Sequence, residues 1–226
     1  MSEFTVTVAG EQHKHLAEAI CKEMEESAKA RGTGIAKRNP DYIRKKMSEG
    51  KAIIAITKSG GEFAGFCYIE TWGHEKYVAN SGLIVAPQYR KGGLATKIKE
   101  KAFELSRKKY PDAKLFGLTT SLAVMRINSD LGYKPVTFSE LTDDEEFWKG
   151  CSSCVNYDIL NRMNRKMCLC TGMVYDPKEK DKSKWDFMKK SKLYERWQRF
   201  KNNKLLRAFS KSSIKSIVTF FAVKPF

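Results

Sequence analysis

The stretch Val85-Ala86-Pro87-Gln88-Tyr89-Arg90-Lys91-Gly92-Gly93-Leu94-Ala95-Thr96 constrains the fold more than any other part of the sequence. An apolar strand ends near Pro87, a basic glycine turn follows, and a helix begins at once. The first-turn N–H groups of a helix lack internal partners and carry partial positive charge from the aligned peptide dipoles. Gly92 and Gly93 allow a tight turn and close approach to the backbone, while Arg90 and Lys91 add formal positive charge. The run therefore predicts an anion site of a size for phosphate or pyrophosphate; a similar turn with no ligand is the alternative. The dinucleotide pattern G-x-G-x-x-G and the triphosphate pattern G-x-x-x-x-G-K-[ST] are both absent.

Periodicity places the remaining elements. Phe4 to Val8 alternates like a strand, and His13 to Lys29 carries Leu16, Ile20, Met24 and Ala28 on one helical stripe. Asn39-Pro40-Asp41 opens a second helix to about Ser48, with Pro40 in the first turn, where its missing donor costs nothing. Ala52 to Ile56 and Phe63 to Thr71 read as strands joined by Ser59-Gly60-Gly61, and Tyr77 to Val85 as another. Lys91 to Lys109 reads as a helix with Leu94, Ile98, Ala102 and Leu105 on one face, ended by Pro111. Leu115 to Thr120 follows as a strand, Leu122 to Leu131 as a short helix closed by Gly132, and Lys134 to Phe138 as a strand.

The spacing Arg90-x-x-Gly93-x-Ala95 resembles the pyrophosphate loop of the GCN5-related N-acetyltransferases (GNAT), and the element order β-α-α-β-β-β-α-β-α-β matches that fold. The resemblance covers residues 4–138 and extends to 166–175. It implies an α+β fold with a mixed, mostly antiparallel sheet flanked by helices, whose fourth and fifth strands splay apart. It also implies that the loop residues Arg90, Lys91, Gly92, Gly93, Leu94, Ala95 and Thr96 hold the coenzyme A pyrophosphate. Leu83, Ile84 and Val85 would then offer backbone groups to its pantetheine arm. Leu131-Gly132-Tyr133-Lys134-Pro135 resembles the family's Gly-Phe/Tyr segment beside the coenzyme tail. Many members place a tyrosine four residues before that glycine to protonate the departing thiolate; here the position is Asn128, which has no titrating proton to give but can hydrogen-bond sulfur or pantetheine. The activity implied is transfer of an acetyl or short acyl group from acyl-coenzyme A to a primary amine, with a small amino acid as one acceptor.

An acceptor ammonium must lose a proton to give the neutral amine that attacks a thioester, so a carboxylate or histidine within reach is required. Glu70 at the end of the third strand is the first candidate base, with His74 and Glu75 in the following loop next. Arg126 and Lys134 are candidates to pair with an acceptor carboxylate. Cys67, in a core strand, reads as packing rather than as an acyl-carrying nucleophile.

Cys151-Ser152-Ser153-Cys154 and Cys168-Leu169-Cys170 hold four of the six cysteines. A C-x-x-C turn and two alternate residues of a strand can bring Cys151, Cys154, Cys168 and Cys170 together on a tetrahedral zinc, and four thiolates would close it as a structural site. Reduced core thiols and redox or iron–sulfur chemistry remain open alternatives. Lys166 to Tyr175 is expected as the last strand, with 143–165 an insertion before it that could close over the acceptor site. The cysteine-bearing pattern resembles a bacterial subgroup associated with amino-acid acylation in arginine metabolism.

The net charge of +16 is concentrated at the end: 176–226 holds fifteen Lys/Arg against five Asp/Glu. The expected organisation is a domain over 1–176 and a basic extension over 177–226, in which Trp185, Met188, Leu193, Trp197 and Phe200 suggest an amphipathic helix and 214–223 an edge strand. No run approaches the roughly 18 apolar residues that span a bilayer, and no targeting pattern is present, so the expected location is the cytoplasm. Basic residues beside aromatics leave nucleic acid open as a partner, and with it a non-catalytic module that senses acyl-coenzyme A. A homodimer is compatible with the sequence.

Overall fold

The computed structural model describes residues 3–32 and 38–179; the expectations for the basic extension lie outside them. The elements are β1 (Phe4–Val8), a 3-10 turn (Glu11–Leu16), α1 (Ala17–Arg31), α2 (Pro40–Ser48), β2 (Ala52–Thr57), β3 (Phe63–Trp72) and β4 (Tyr77–Val85). After the basic loop come α3 (Leu94–Lys109), β5 (Lys114–Thr119), α4 (Leu122–Asp130), β6 (Lys134–Val136), α5 (Glu145–Lys149), α6 (Tyr157–Arg162) and β7 (Thr171–Tyr175). The seven strands form one sheet in the order β1-β2-β3-β4-β5-β7-β6. Every pairing is antiparallel except β4 with β5.

Side chains alternate across a strand, so the sheet offers two apolar faces. On one, Ile20 and Met24 of α1 and Ile43 and Met47 of α2 pack on Ile54, Phe66, Tyr68 and Ile84. On the other, Leu94, Ile98 and Ala102 of α3 pack on Ile53, Cys67 and Val85. Farther along that face, Met125 and Leu131 of α4 and its following turn join Ile69, Leu115, Tyr133 and Met173. The expected stripes of both long helices are thus their buried faces.

Two boundaries differ from expectation for physical reasons. The third helix begins at Leu94 rather than Lys91, because Lys91 and Gly93 take left-handed backbone angles (φ 69° and 75°) that no α-helix continues. The last strand begins at Thr171 rather than Lys166, because its neighbours run out there: Thr171 faces Thr119, the final residue of β5, and Gly172 faces Val136, the final residue of β6. Cys168 and Cys170 therefore precede the strand instead of lying in it, although both stay half-buried while Leu169 between them is 63% exposed.

Candidate acyl-transfer site

The site begins with a discontinuity in β4. Only Tyr77–Ala79 pair with β5, opposite Lys114–Phe116. From Asn80 onward the strands part, so the edge of β4 through Leu83, Ile84 and Val85 has no β5 partner. The same strand bulges against β3, where the register shifts between Phe66 and Tyr68. Gly82 turns the chain there with φ 63°, and a Cβ on it would collide with the Tyr68 ring and stand 2.8 Å from Met24 Cε. A mid-strand glycine signals such a bulge, which the apolar character of Tyr77 to Val85 alone does not reveal.

The open edge leads to the basic loop. Gly93 is the N-cap of α3 and supplies no side-chain cap to its first turn. The positive φ of Lys91 and Gly93 curls the backbone into a concavity of N–H groups, and space beside Gly92 and Gly93 is clear to at least 4 Å. Lys91, Gly92 and Gly93 are exposed, Leu94 is buried and Ala95 and Thr96 are half-buried, so the turn offers backbone donors to an anion. Arg90 plays a different part. Its Nε donates to the Val85 carbonyl at 2.8 Å, and its terminal nitrogen donates to Ser27 Oγ at 2.7 Å and to Glu23 Oε1 at 3.1 Å. Arg90 pins the loop to the end of β4 and to α1.

Across the gap, α4 places Asn128 over β5 and β7. The side chain is 2% exposed; Nδ2 donates to Met173 Sδ at 3.7 Å, and Oδ1 is the one buried side-chain polar atom without a partner among the described residues. Ser121 caps this helix, accepting from Val124 N–H, and so fixes its approach. On the buried face of α3, Lys99 is 2% exposed, with Nζ 3.4 Å from the Asn80 carbonyl at the start of the splay and 5.5 Å from the Tyr133 ring centroid. Burial pulls its pKa down. Asn80 completes a buried network, donating to Ser106 Oγ at 2.7 Å and accepting from Tyr133 Oη at 3.4 Å.

Glu70 lies on the opposite face of the sheet, paired with Ala79, the last β4 residue joined to β5. Tyr42 Oη donates to its carboxylate. Burial raises the Glu70 pKa, while the Arg38 guanidinium and a hydrogen bond from Ser81 work the other way. Arg38 Nε donates to Tyr68 Oη at 2.5 Å, and its guanidinium stands 5.8 Å from the centroids of both the Tyr42 and Tyr68 rings. A carboxylate, a guanidinium and two phenols thus converge beside the splay. Arg38, Tyr42 and Ser81 carry no local sequence signal for this role, since only tertiary packing brings them to Glu70.

The other candidates fall elsewhere. His74 and Glu75, with φ of 53° and 65°, form the exposed tip of the β3–β4 hairpin, at the end where β4 and β5 are still paired. There they line a cavity with Asp112, Lys114 and Asp176, away from Glu70's partners. Arg126 and Lys134 are exposed, and Arg38 is the cation whose charge acts on the Glu70 carboxyl. Cys67 is fully buried, and burial pushes its thiol up to about 11, which leaves it protonated and packed.

The insertion packs on the Glu70 face, where Phe147 and Trp148 meet Trp72, Phe116 and Phe138, and Asp144 Oδ2 accepts from Gly73 N–H at 2.8 Å. Cys151 and Cys154 of the insertion and Cys168 and Cys170 after it are free and line one cavity. Burial, with the neighbouring thiols second, pushes Cys151 up to about 11 and Cys170 to about 12. Among the described residues no three His, Cys, Asp or Glu side chains are already gathered as a metal site.

Comparison with known proteins gives this arrangement a context. Residues 24–123 match the model of the acetyltransferase (GNAT) family. Over those residues the chain is similar to that family. That match runs from α1 through the splay and the basic loop to the start of α4. Among solved structures, the GNAT fold aligns with N-acetylglutamate synthase from Neisseria gonorrhoeae, complexed with coenzyme A and N-acetylglutamate, at a TM-score of 0.55 and 16% identity over 78% of this chain and 35% of the synthase chain. It aligns with a Mycobacterium tuberculosis protein in complex with coenzyme A at 0.54 and 15%, covering 76% and 98%. A phosphinothricin acetyltransferase from Sinorhizobium meliloti, in complex with acetyl-coenzyme A, aligns at 0.53 and 12%, covering 81% and 93%. No curated protein matches the chain by sequence. Among the described residues no helix is long and apolar enough to cross a membrane.

Proposed function

We propose that the domain transfers an acetyl or other short acyl group from coenzyme A to a primary amine by direct attack within a ternary complex. The observation that carries this reading is the splay: an unpaired β4 edge runs from Asn80 to the uncapped first turn of α3. An extended amide-bearing arm can pair with that edge as an added strand while its pyrophosphate rests on the turn. The unpartnered Asn128 Oδ1 suits the same arm, since a buried acceptor without a donor is costly and an N–H or S–H group would satisfy it.

Chemically, the gap joins the two faces of the sheet. An ammonium group on the Glu70 face gives a proton to Glu70 directly or through water, and the neutral amine so formed attacks the thioester carbonyl. The backbone N–H groups near Ile84 and Val85 can stabilise the oxyanion, the C–S bond breaks, and the thiolate takes up a proton. Asn128 supplies no titrating proton; a thiol of pKa about 8.5 leaves with electrostatic help alone. Arg38 beside Glu70 favours an acceptor that carries a carboxylate, consistent with an amino acid. The N-acetylglutamate bound in the Neisseria protein is in keeping with that class.

Calorimetric titration of acetyl-coenzyme A into the full-length protein tests the site. Saturable binding is expected, together with its loss when Arg90→Ala and Gly93→Asp are combined in a variant whose circular dichroism is unchanged. Absence of binding to folded native protein sinks the proposal. Binding without turnover on a panel of amines would instead favour a sensing module.

A further inference from the structure

The acyl-transfer reading leaves the cysteine-bearing insertion unexplained. Between Leu141 and Thr171 the chain forms only α5 of five residues and α6 of six, both too short to hold themselves in water. Few of its residues are buried: Leu141, Thr142, Trp148 and Leu160. By contrast Val155 (68%), Met167 (55%) and Leu169 (63%) are exposed. A segment so short of core needs a cross-link to keep one conformation.

The thiols are placed to make one. Cys151 and Cys154 sit in a tight turn closed by Cys154 N–H to the Cys151 carbonyl at 2.9 Å. Cys168 and Cys170 flank outward-facing Leu169, and the Cys168 thiol donates to the Asn156 carbonyl at 3.8 Å. The two pairs, 13 residues apart in sequence, face each other across a cavity of about 20 Å³ that is also lined by Phe138 and Leu160. That volume admits about one water-sized sphere. No carboxylate or imidazole lines it; Asn156 and Tyr157 stand beside the four thiols, and soft thiolate ligands select zinc over calcium or magnesium.

We propose that Cys151, Cys154, Cys168 and Cys170 form a closed tetrathiolate zinc site that staples the 151–154 turn to the segment entering β7. The four sulfurs ring the cavity without meeting at bonding distance around one point. In such a site each sulfur would stand about 2.3 Å from the ion. One zinc ion displaces a proton from each thiol, and no oxidant or reductant is required. Because all four positions are protein thiolates, the metal leaves no site for substrate and acts on stability alone.

The test uses the reduced full-length protein. Metal analysis of protein purified without chelators should give one zinc per chain. Titration of metal-free protein with cobalt(II) should give intense visible bands of a tetrahedral thiolate complex, which zinc then bleaches. The bands should vanish in Cys151→Ser/Cys170→Ser and persist in Cys21→Ser, whose thiol lies on α1. Zinc loading should also slow proteolysis within 150–170. No uptake of either metal by reduced native protein, a weak octahedral cobalt spectrum, or a disulfide among these four cysteines in freshly isolated protein would each overturn the proposal, independently of how the variants fold.

Discussion

At the scale of single residues, the two most informative groups are titratable, Lys99 buried and Glu70 half-buried, and they lie on opposite faces of the sheet. Glu70 has its pKa raised, chiefly by burial. As a base it must be ionised, so turnover should climb with pH through a value above the ordinary glutamate range, and Glu70→Gln should lower kcat by roughly 10²–10⁴-fold with acetyl-coenzyme A affinity unchanged. The stability sign separates this from a structural role. A raised folded pKa means that Glu70's stabilising share is present below the unfolded pKa of about 4.3 and is lost as pH rises through the folded value. Urea unfolding at pH 7 should therefore find the Gln variant at least as stable as the parent; a lower midpoint, or intact turnover, refutes the assignment. Lys99 has its pKa lowered by burial. Its neutral form suits the fold, so stability is fullest above the unfolded lysine value of about 10.4 and falls with pH below it. Lys99→Met should gain on the order of 1 kcal/mol at pH 7, a gain that shrinks toward pH 10. Equal unfolding midpoints for the two proteins at pH 7 would contradict this.

At the scale of elements, the site depends on β4 failing to pair. Gly82 sustains the bulge with a left-handed backbone and no room for a side chain. Gly82→Val should cost about 1–2 kcal/mol from backbone conformation alone, and should weaken acetyl-coenzyme A binding more than Arg90→Ala does, because it distorts the edge that the pantetheine arm would pair with. Thermal melts and titrations of both variants decide this; normal binding by a folded Gly82→Val protein would mean that the bulge is dispensable. The elements themselves were legible where burial imposes a period. The Leu16–Ala28 stripe, the Leu94–Leu105 stripe and the run of core strands each follow from one apolar face meeting the sheet. What escaped had no periodic signature. The start of α3 depends on left-handed angles at Lys91 and Gly93, the start of β7 on where β5 and β6 end, and the surroundings of Glu70 on Tyr42 of α2, Arg38 just before it and Ser81 of β4. The loop's anion character was readable because it is local; that Arg90 faces inward to Val85 and α1 was not, because its partners are distant.

At the scale of the whole molecule, the fold works as two halves of a sheet held together over a short parallel contact. β1–β4 carry α1, α2 and α3, while β5–β7 carry α4 and the insertion, and among the described residues the halves pair by backbone through Tyr77–Ala79 with Lys114–Phe116 and through Lys114 N–H to the Lys76 carbonyl at 2.9 Å. A ligand lying in the splay would bridge them and add the hydrogen bonds that the sheet lacks there. Binding to the folded state alone stabilises by RT ln(1 + [L]/Kd), or about 2.7 kcal/mol at one hundred times Kd. For a domain of this size each kcal/mol moves Tm by about 2–4 °C, so acetyl-coenzyme A at that excess should raise Tm by roughly 5–11 °C. The same concentration should leave the combined Arg90→Ala and Gly93→Asp variant unmoved. Hydrogen exchange adds the spatial part: protection should appear along Asn80 to Val85 and in the first turn of α3, while the hairpin tip at His74 and Glu75 keeps its exchange rate. A uniform rise in protection, or one centred on that tip, would place the ligand at the paired end of the strands and remove the splay as the coenzyme site.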